Sequence, residues 1–208
     1  MSSSKIAILE ELRANIRGVE HTEVARPRSY LATSLSEFNH ALPGGGLLLG
    51  SFVEVLAEHE GSGAFSLALK LAGTVLAQRP VWAVIDTDQS FHPLAAAQSG
   101  LNLDHLVVIR TEPRRAAWAF SQLLRSPFVG ASFLVSESMD AMAFRRFQLA
   151  AERGSGLGFV MRPLAAAKRP CWASLRLKTQ RHGAGLRITL LHVRNGTFTG
   201  PSCLDVDA

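Results

Sequence analysis

Cysteine is scarce in this chain: Cys171 and Cys203 are the two it has. They form no metal-spaced pair and nothing points to an oxidising compartment, so both read as ordinary core or strand residues. Long apolar runs are missing too. No stretch approaches the roughly 18 residues that a membrane-spanning helix needs. The N-terminal MSSSKIAILEELR lacks a signal-peptide pattern, so the expectation is a cytoplasmic protein without membrane contact. The seven histidines show no HExxH or other metal spacing, and there is no Ser/His/Asp signature. His59, His92 and His105 read as loop or cap residues. No internal repeat or low-complexity tract interrupts the 208 residues, a length that suits one α/β domain with extensions.

Acidic residues are lacking in one part of the chain. The net charge of +5 hides an asymmetry: residues 1–140 carry 11 basic and 14 acidic side chains, a balance of −3. Residues 141–208 carry 11 basic and 3 acidic, a balance of +8. A basic C-terminal third points to nucleic acid or an acidic protein surface, or else to a solvated basic face.

The chain is organised around GSFVEVLAEHEGSGAFSLALKLAGTVLAQ, residues 50–78. Phe52 to Leu56 reads as a short apolar strand, followed by a Gly/Ser loop and an amphipathic helix. Phe65, Ala68, Leu69, Ala72, Val75 and Leu76 repeat at helical spacing and give that helix one apolar face. Strand, glycine loop and helix make the frame of a phosphate-binding loop, where backbone N–H groups and a helix N-terminus cradle a phosphate. The chemistry is missing. Lys and then Ser/Thr should follow the last loop glycine, but Gly63 is followed by Ala64 and Phe65. Lys70 lies six residues beyond Ala64, roughly 9 Å along a helix, and Phe65 cannot hold a magnesium ion. Glu58 and Glu60 in the same loop repel an anion. Gly61, Ser62 and Gly63 are therefore expected to be a vestigial loop that binds no cofactor.

Ser4 can cap a helix to about Gly18 with Ile6, Leu9, Leu12 and Ile16 on one face. HTEVARPRSY after it reads as a linker. That stripe is buried either in its own domain or on another protein's surface. The division expected is an N-terminal helix and linker over residues 1–29 and a core over 30–208. A helical turn from Ser34 or Ser36 precedes the break Pro43-Gly44-Gly45-Gly46. Apolar strands are expected at Val81–Ile85, Leu106–Ile109, Phe133–Val135 and Gly158–Met161. Helices near Pro93–Ser99, Arg114–Arg125 and Met142–Arg153 separate them, the pattern of a mostly parallel sheet covered on both faces. From Cys171 to Lys178 and from Leu186 to Val193 apolar and polar residues alternate. Asn195-Gly196 is a hairpin signal ahead of a short strand near Cys203–Val206, so antiparallel strands should extend the sheet.

In register these pieces resemble the RecA fold over roughly residues 30–206. TSLSEFNHALPGGGLLLGSFVEVLAEHEGSGAFSLALKLA is similar to the recombinase entry segment. IDTDQSFHPLAAAQSGLNLDHLVVIR is similar to the segment that carries the catalytic carboxylate, with Asp88 at that position and Asp86 two residues before it. ASFLVSESMD resembles the Walker B strand, with Ser136 where the aspartate is expected and Glu137 facing the other side of the strand. Without the Lys, the Thr or the Walker B carboxylate, Asp86 and Asp88 are expected to have no catalytic role. Within the RecA-like proteins the chain resembles the ImuA family, accessory proteins of bacterial translesion synthesis with a decayed nucleotide site.

That resemblance implies a non-enzymatic protein of the SOS response, acting in DNA-damage-induced, error-prone synthesis. It implies contacts with a Y-family-polymerase-like protein of the ImuB type, with RecA and, indirectly, with a replicative-type polymerase. DNA would be met weakly or through the complex, and self-association is a further expectation. The alternatives are a SulA-like cell-division inhibitor and a recombinase-type ATPase. The stretches that hold the DNA-contacting loops in RecA, between Ser138 and Gly158 and between Arg162 and Trp172, are short here. Contact candidates are the stripe Ile6, Leu9, Leu12 and Ile16; Arg114, Trp118 and Arg125; and the pairs Arg145-Arg146 and Lys168-Arg169. Helical spacing puts Trp118 opposite Ala116, Phe120, Leu123 and Leu124, among Arg114, Arg115, Gln122 and Arg125. That placement suits a protein contact, a stacked base, or a ring partly covered by a neighbouring loop.

Overall fold

The computed structural model describes residues 29–137, 139–194, 196–200 and 202–206. The helix and linker expected over residues 1–28, with Ile6, Leu9, Leu12 and Ile16, lie outside the described residues. A two-stranded antiparallel ladder that the sequence reading did not anticipate comes first, β1 (Tyr30–Leu31) with β2 (Leu47–Leu48). It accounts for two glycines of the triplet. A side chain at Gly44 would collide with the Tyr30 ring, and one at Gly46 would collide with the Leu31 carbonyl; Gly44 also has φ of 76°. Helix α1 (Ser36–Ala41) starts from Leu35, and neither Ser34 nor Ser36 caps it by a side-chain bond. The turn is held instead by Asn39, whose Oδ1 accepts from the Thr33 N–H at 2.8 Å while its Nδ2 donates to the Thr33 carbonyl at 2.8 Å.

The apolar runs form β3 (Ser51–Ala57), β4 (Trp82–Asp86), β5 (Leu106–Arg110), β6 (Ala131–Val135) and β7 (Leu157–Pro163). The helices between them are α2 (Ala64–Gln78), α3 (Pro93–Gln98), α4 (Pro113–Arg125) and α5 (Ala141–Arg153). Strands β8 (Leu175–His182), β9 (Gly185–Val193) and β10 (Cys203–Val206) follow. All eight from β3 onward join one sheet in the order β10–β9–β8–β3–β7–β6–β4–β5. The expected mixed α/β architecture, a mostly parallel sheet flanked by helices and closed by antiparallel strands, is what the chain forms.

Two details differ from expectation. The parallel part reaches one strand further, because β8 runs parallel to β3 and antiparallel pairing begins only at β9. And the antiparallel pair β9–β10 is not joined by a two-residue turn, since β9 ends at Val193 and β10 begins at Cys203. The connection from β9 to β10 crosses to α1, where Thr199 donates its N–H to the Ala41 carbonyl at 3.2 Å and its hydroxyl to the His40 carbonyl at 2.7 Å.

Each sheet face carries its own core. On one, α1 and α2 cover Val53, Val55, Val84, Phe133, Phe159 and Leu177. The expected apolar face of α2 is in place, with Phe65 half-buried and the other five buried; Leu67 and Leu71 are buried as well. On the other face α4 and α5 cover Phe52, Ile85, Leu134 and Val160, and Phe120 meets Phe147 edge-on at 4.9 Å. The chain leaves β3 toward the first face and β6 toward the second. At such a reversal the loops splay apart and open a crevice at the C-terminal ends of the strands.

Candidate functional site

That crevice is a cleft of about 930 Å³, lined by the glycine loop, the start of α2, the ends of β6 and β7, and Leu186 of β9. Gly61, Ser62, Gly63, Ala64, Phe65 and Ser136 all line it, so the structure brings together the residues at which a vestigial nucleotide site was expected. Asp88 is not among the described residues of the lining. It sits in the loop after β4, where the Ser90 hydroxyl donates to it at 2.8 Å; that bond is the main cause holding its carboxyl below the usual range. Asp86 is buried at the end of β4 and accepts from the Ser90 and Phe91 N–H groups at 3.1 and 3.4 Å. Its other oxygen lies 3.8 Å from Arg110. Asp86 therefore organises a turn. The expected orientation of Glu137 needs correcting: β6 ends at Val135, so Ser136 and Glu137 are past the alternating strand, and both line the cleft.

Three features of the loop bear on whether it could hold a phosphate. Phe65 turns its ring into the core, 5.6 Å from Phe133 and 5.8 Å from Phe91, so the position after Ala64 anchors α2 and offers no hydroxyl. Gly63, with φ of 80°, lets Leu186 of β9 come so close that any added side chain would collide with it. The closing strand thus lays a buried apolar side chain on the glycine that would approach a phosphate. Glu58 and Glu60 stand at the rim, where Glu58 pairs with Lys178 at 3.4 Å in an exposed bridge of little energetic weight. Ser62 is buried, and its hydroxyl has no partner among the described residues. Lys70 lines the cleft from the second turn of α2. Among the described residues, no group of three or more His, Cys, Asp or Glu is placed to hold a metal.

The sequence reading missed a cluster on the other side of β3. Glu54, wholly buried, accepts from Arg162 Nη1 at 2.9 Å and from Arg176 Nε at 2.6 Å. Arg162 lies over the Phe144 ring at 4.9 Å, and Arg176 Nη1 also donates to the Ala167 and Arg169 carbonyls. A glutamate inside the apolar run FVEVL was the available signal, since a charge there demands a buried partner. Cys171 stands 3.5 Å from Glu54, and its thiol is pushed up to about 11, first by burial and then by the Glu54 charge. His192 is held below its usual value by burial and then by the charges of Arg176 and Arg194.

The contact candidates among the described residues fall on the α4–α5 side. Trp118 is 65% exposed, and no loop among the described residues covers it. Arg114, paired with Glu112, and Arg115, Gln122 and Arg125 are exposed around it. Arg145 stacks its guanidinium on Trp172 at 5.5 Å and donates to Gln148 at 2.9 Å, while Arg146 is exposed on another flank of α5. Lys168 ends a short 3-10 turn, Leu164–Lys168, and both it and Arg169 are exposed. No helix among the described residues is long and apolar enough to cross a membrane. No known family model matches the chain.

Proposed function

We propose that this chain is a RecA-type core whose nucleotide cleft has lost its chemistry, and that it serves as a non-enzymatic accessory protein of damage-induced, error-prone translesion synthesis. The resemblance to the ImuA family supplies the biological role. The single observation supporting the non-enzymatic part is the pairing of Phe65 in the core with Leu186 laid on Gly63. A lysine and a hydroxyl would have to stand at Ala64 and Phe65 to hold a γ-phosphate and its magnesium. Function then resides in surfaces, with a Y-family-polymerase-like protein and RecA as partners. A recombinase-type ATPase fits less well, because both positions are occupied by groups that serve packing. Co-purification of the full chain with each partner, expressed together, tests the role. Stable recovery of the polymerase-like protein supports the reading, and failure to retain either partner removes it.

A further inference from the structure

We propose that the outer face of α4 and α5 binds single-stranded nucleic acid, with Trp118 as a platform for a base and the surrounding arginines holding the backbone. In α4, helical spacing buries Ala116, Ala119, Phe120 and Leu124 and turns Arg114, Arg115, Trp118 and Arg125 outward. Helix α5 packs beside α4 over the same core and adds Arg145 and Arg146. The two helices together carry six arginines and one carboxylate, Glu152. Glu152 is engaged by Gln148 at 2.7 Å, Glu112 ahead of α4 is taken by Arg114, and Asp140 ahead of α5 caps the Ala143 N–H. Arg115, Arg125 and Arg146 have no carboxylate partner among the described residues.

This surplus attracts a polyanion, and the residue type narrows the class further. A guanidinium meets a phosphate with two parallel hydrogen bonds and also stacks on flat rings, as Arg145 does on Trp172. A large indole kept in water among arginines offers one π-face. In a duplex the base faces are covered by their neighbours, whereas in a single strand they are free to stack on it. An acidic protein segment would satisfy the charge without needing the ring. The inference rests on this surface alone, so a chain that binds single strands but retains neither the polymerase-like partner nor RecA would uphold it while removing the functional reading above.

The test is fluorescence anisotropy of a labelled oligo(dT) with the full chain in a salt series. Trp118→Ala should weaken binding about 5- to 150-fold, the range for one lost base stack. Trp118→Phe should stay near wild type, and an abasic oligomer should not distinguish wild type from Trp118→Ala. The pair Arg115→Glu with Arg146→Glu should lower the slope of log affinity against log salt by about 1.4. These side chains are exposed, so melting curves are expected to stay unchanged. Three results would each overturn the proposal: no binding at low salt, equal affinity of the Trp118→Ala variant for oligo(dT), or binding of a polyglutamate peptide as tight as that of oligo(dT). The last would assign the face to an acidic protein.

Discussion

Arg176 Nε donates to Glu54 Oε2 at 2.6 Å across 122 positions of sequence, joining β8 to β3 through a buried ion pair. Arg162 completes the cluster from β7 on the other side of β3, so one carboxylate fixes three adjacent strands. Removing it would leave the buried guanidiniums of Arg162 and Arg176 without their carboxylate. Glu54→Ala should therefore cost about 3–5 kcal/mol, measured by denaturant unfolding. Replacing Glu54, Arg162 and Arg176 together with apolar residues of similar volume should recover most of that loss. A Glu54→Ala variant as stable as wild type would show that the cluster contributes nothing to the fold.

Cys171 should be the slower thiol. Its folded value of about 11, against an ordinary 9.0, leaves about a hundredfold less thiolate near neutral pH. Cys203 is exposed on β10. Iodoacetamide should thus modify a Cys171→Ser variant much faster than a Cys203→Ser variant. The same shift has a stability sign. Below pH 9 the group is protonated in both states and its contribution is complete; between pH 9 and about 11 the unfolded chain ionises first, so stability falls. Equal labelling rates for the two variants would contradict the assigned environment.

The N-terminal stripe is the third test. Four aliphatic side chains, each worth about 1.5–3 kcal/mol when buried, suffice to anchor a contact before ordering costs. If Ile6, Leu9, Leu12 and Ile16 dock on a RecA-type surface, deleting residues 1–28 should weaken association with RecA or with another copy. The core and the contact with the polymerase-like partner should persist. Unfolding or aggregation of the truncated chain would instead assign the stripe to its own domain.

Much of the architecture was legible because parallel strands buried on both faces read as unbroken apolar runs, which VWAVID and GLGFVMR supply. The orientation of β8 was not legible. Its alternation suggests a half-solvated antiparallel strand, yet Arg176 on its polar face is buried, because Glu54 waits on the neighbouring strand. A charged residue reads as solvent-facing until its partner, over a hundred positions away, is known. At the cleft, the missing lysine and hydroxyl were plain from Ala64 and Phe65. That Leu186 closes over Gly63 was not, since β9 reaches the glycine loop only through tertiary folding. Trp118 was placed correctly by helical spacing alone, because an exposed helix face depends on local geometry.

Under the proposed function, the cleft keeps the frame of a nucleotide site without its chemistry. Calorimetric titration of the full chain with a non-hydrolysable ATP analogue and magnesium, beside a phosphate-release assay, tests it most directly. No resolvable heat of binding and no phosphate release above buffer are expected. Micromolar binding at a simple stoichiometry would contradict that expectation and return the chain to the nucleotide-dependent recombinases.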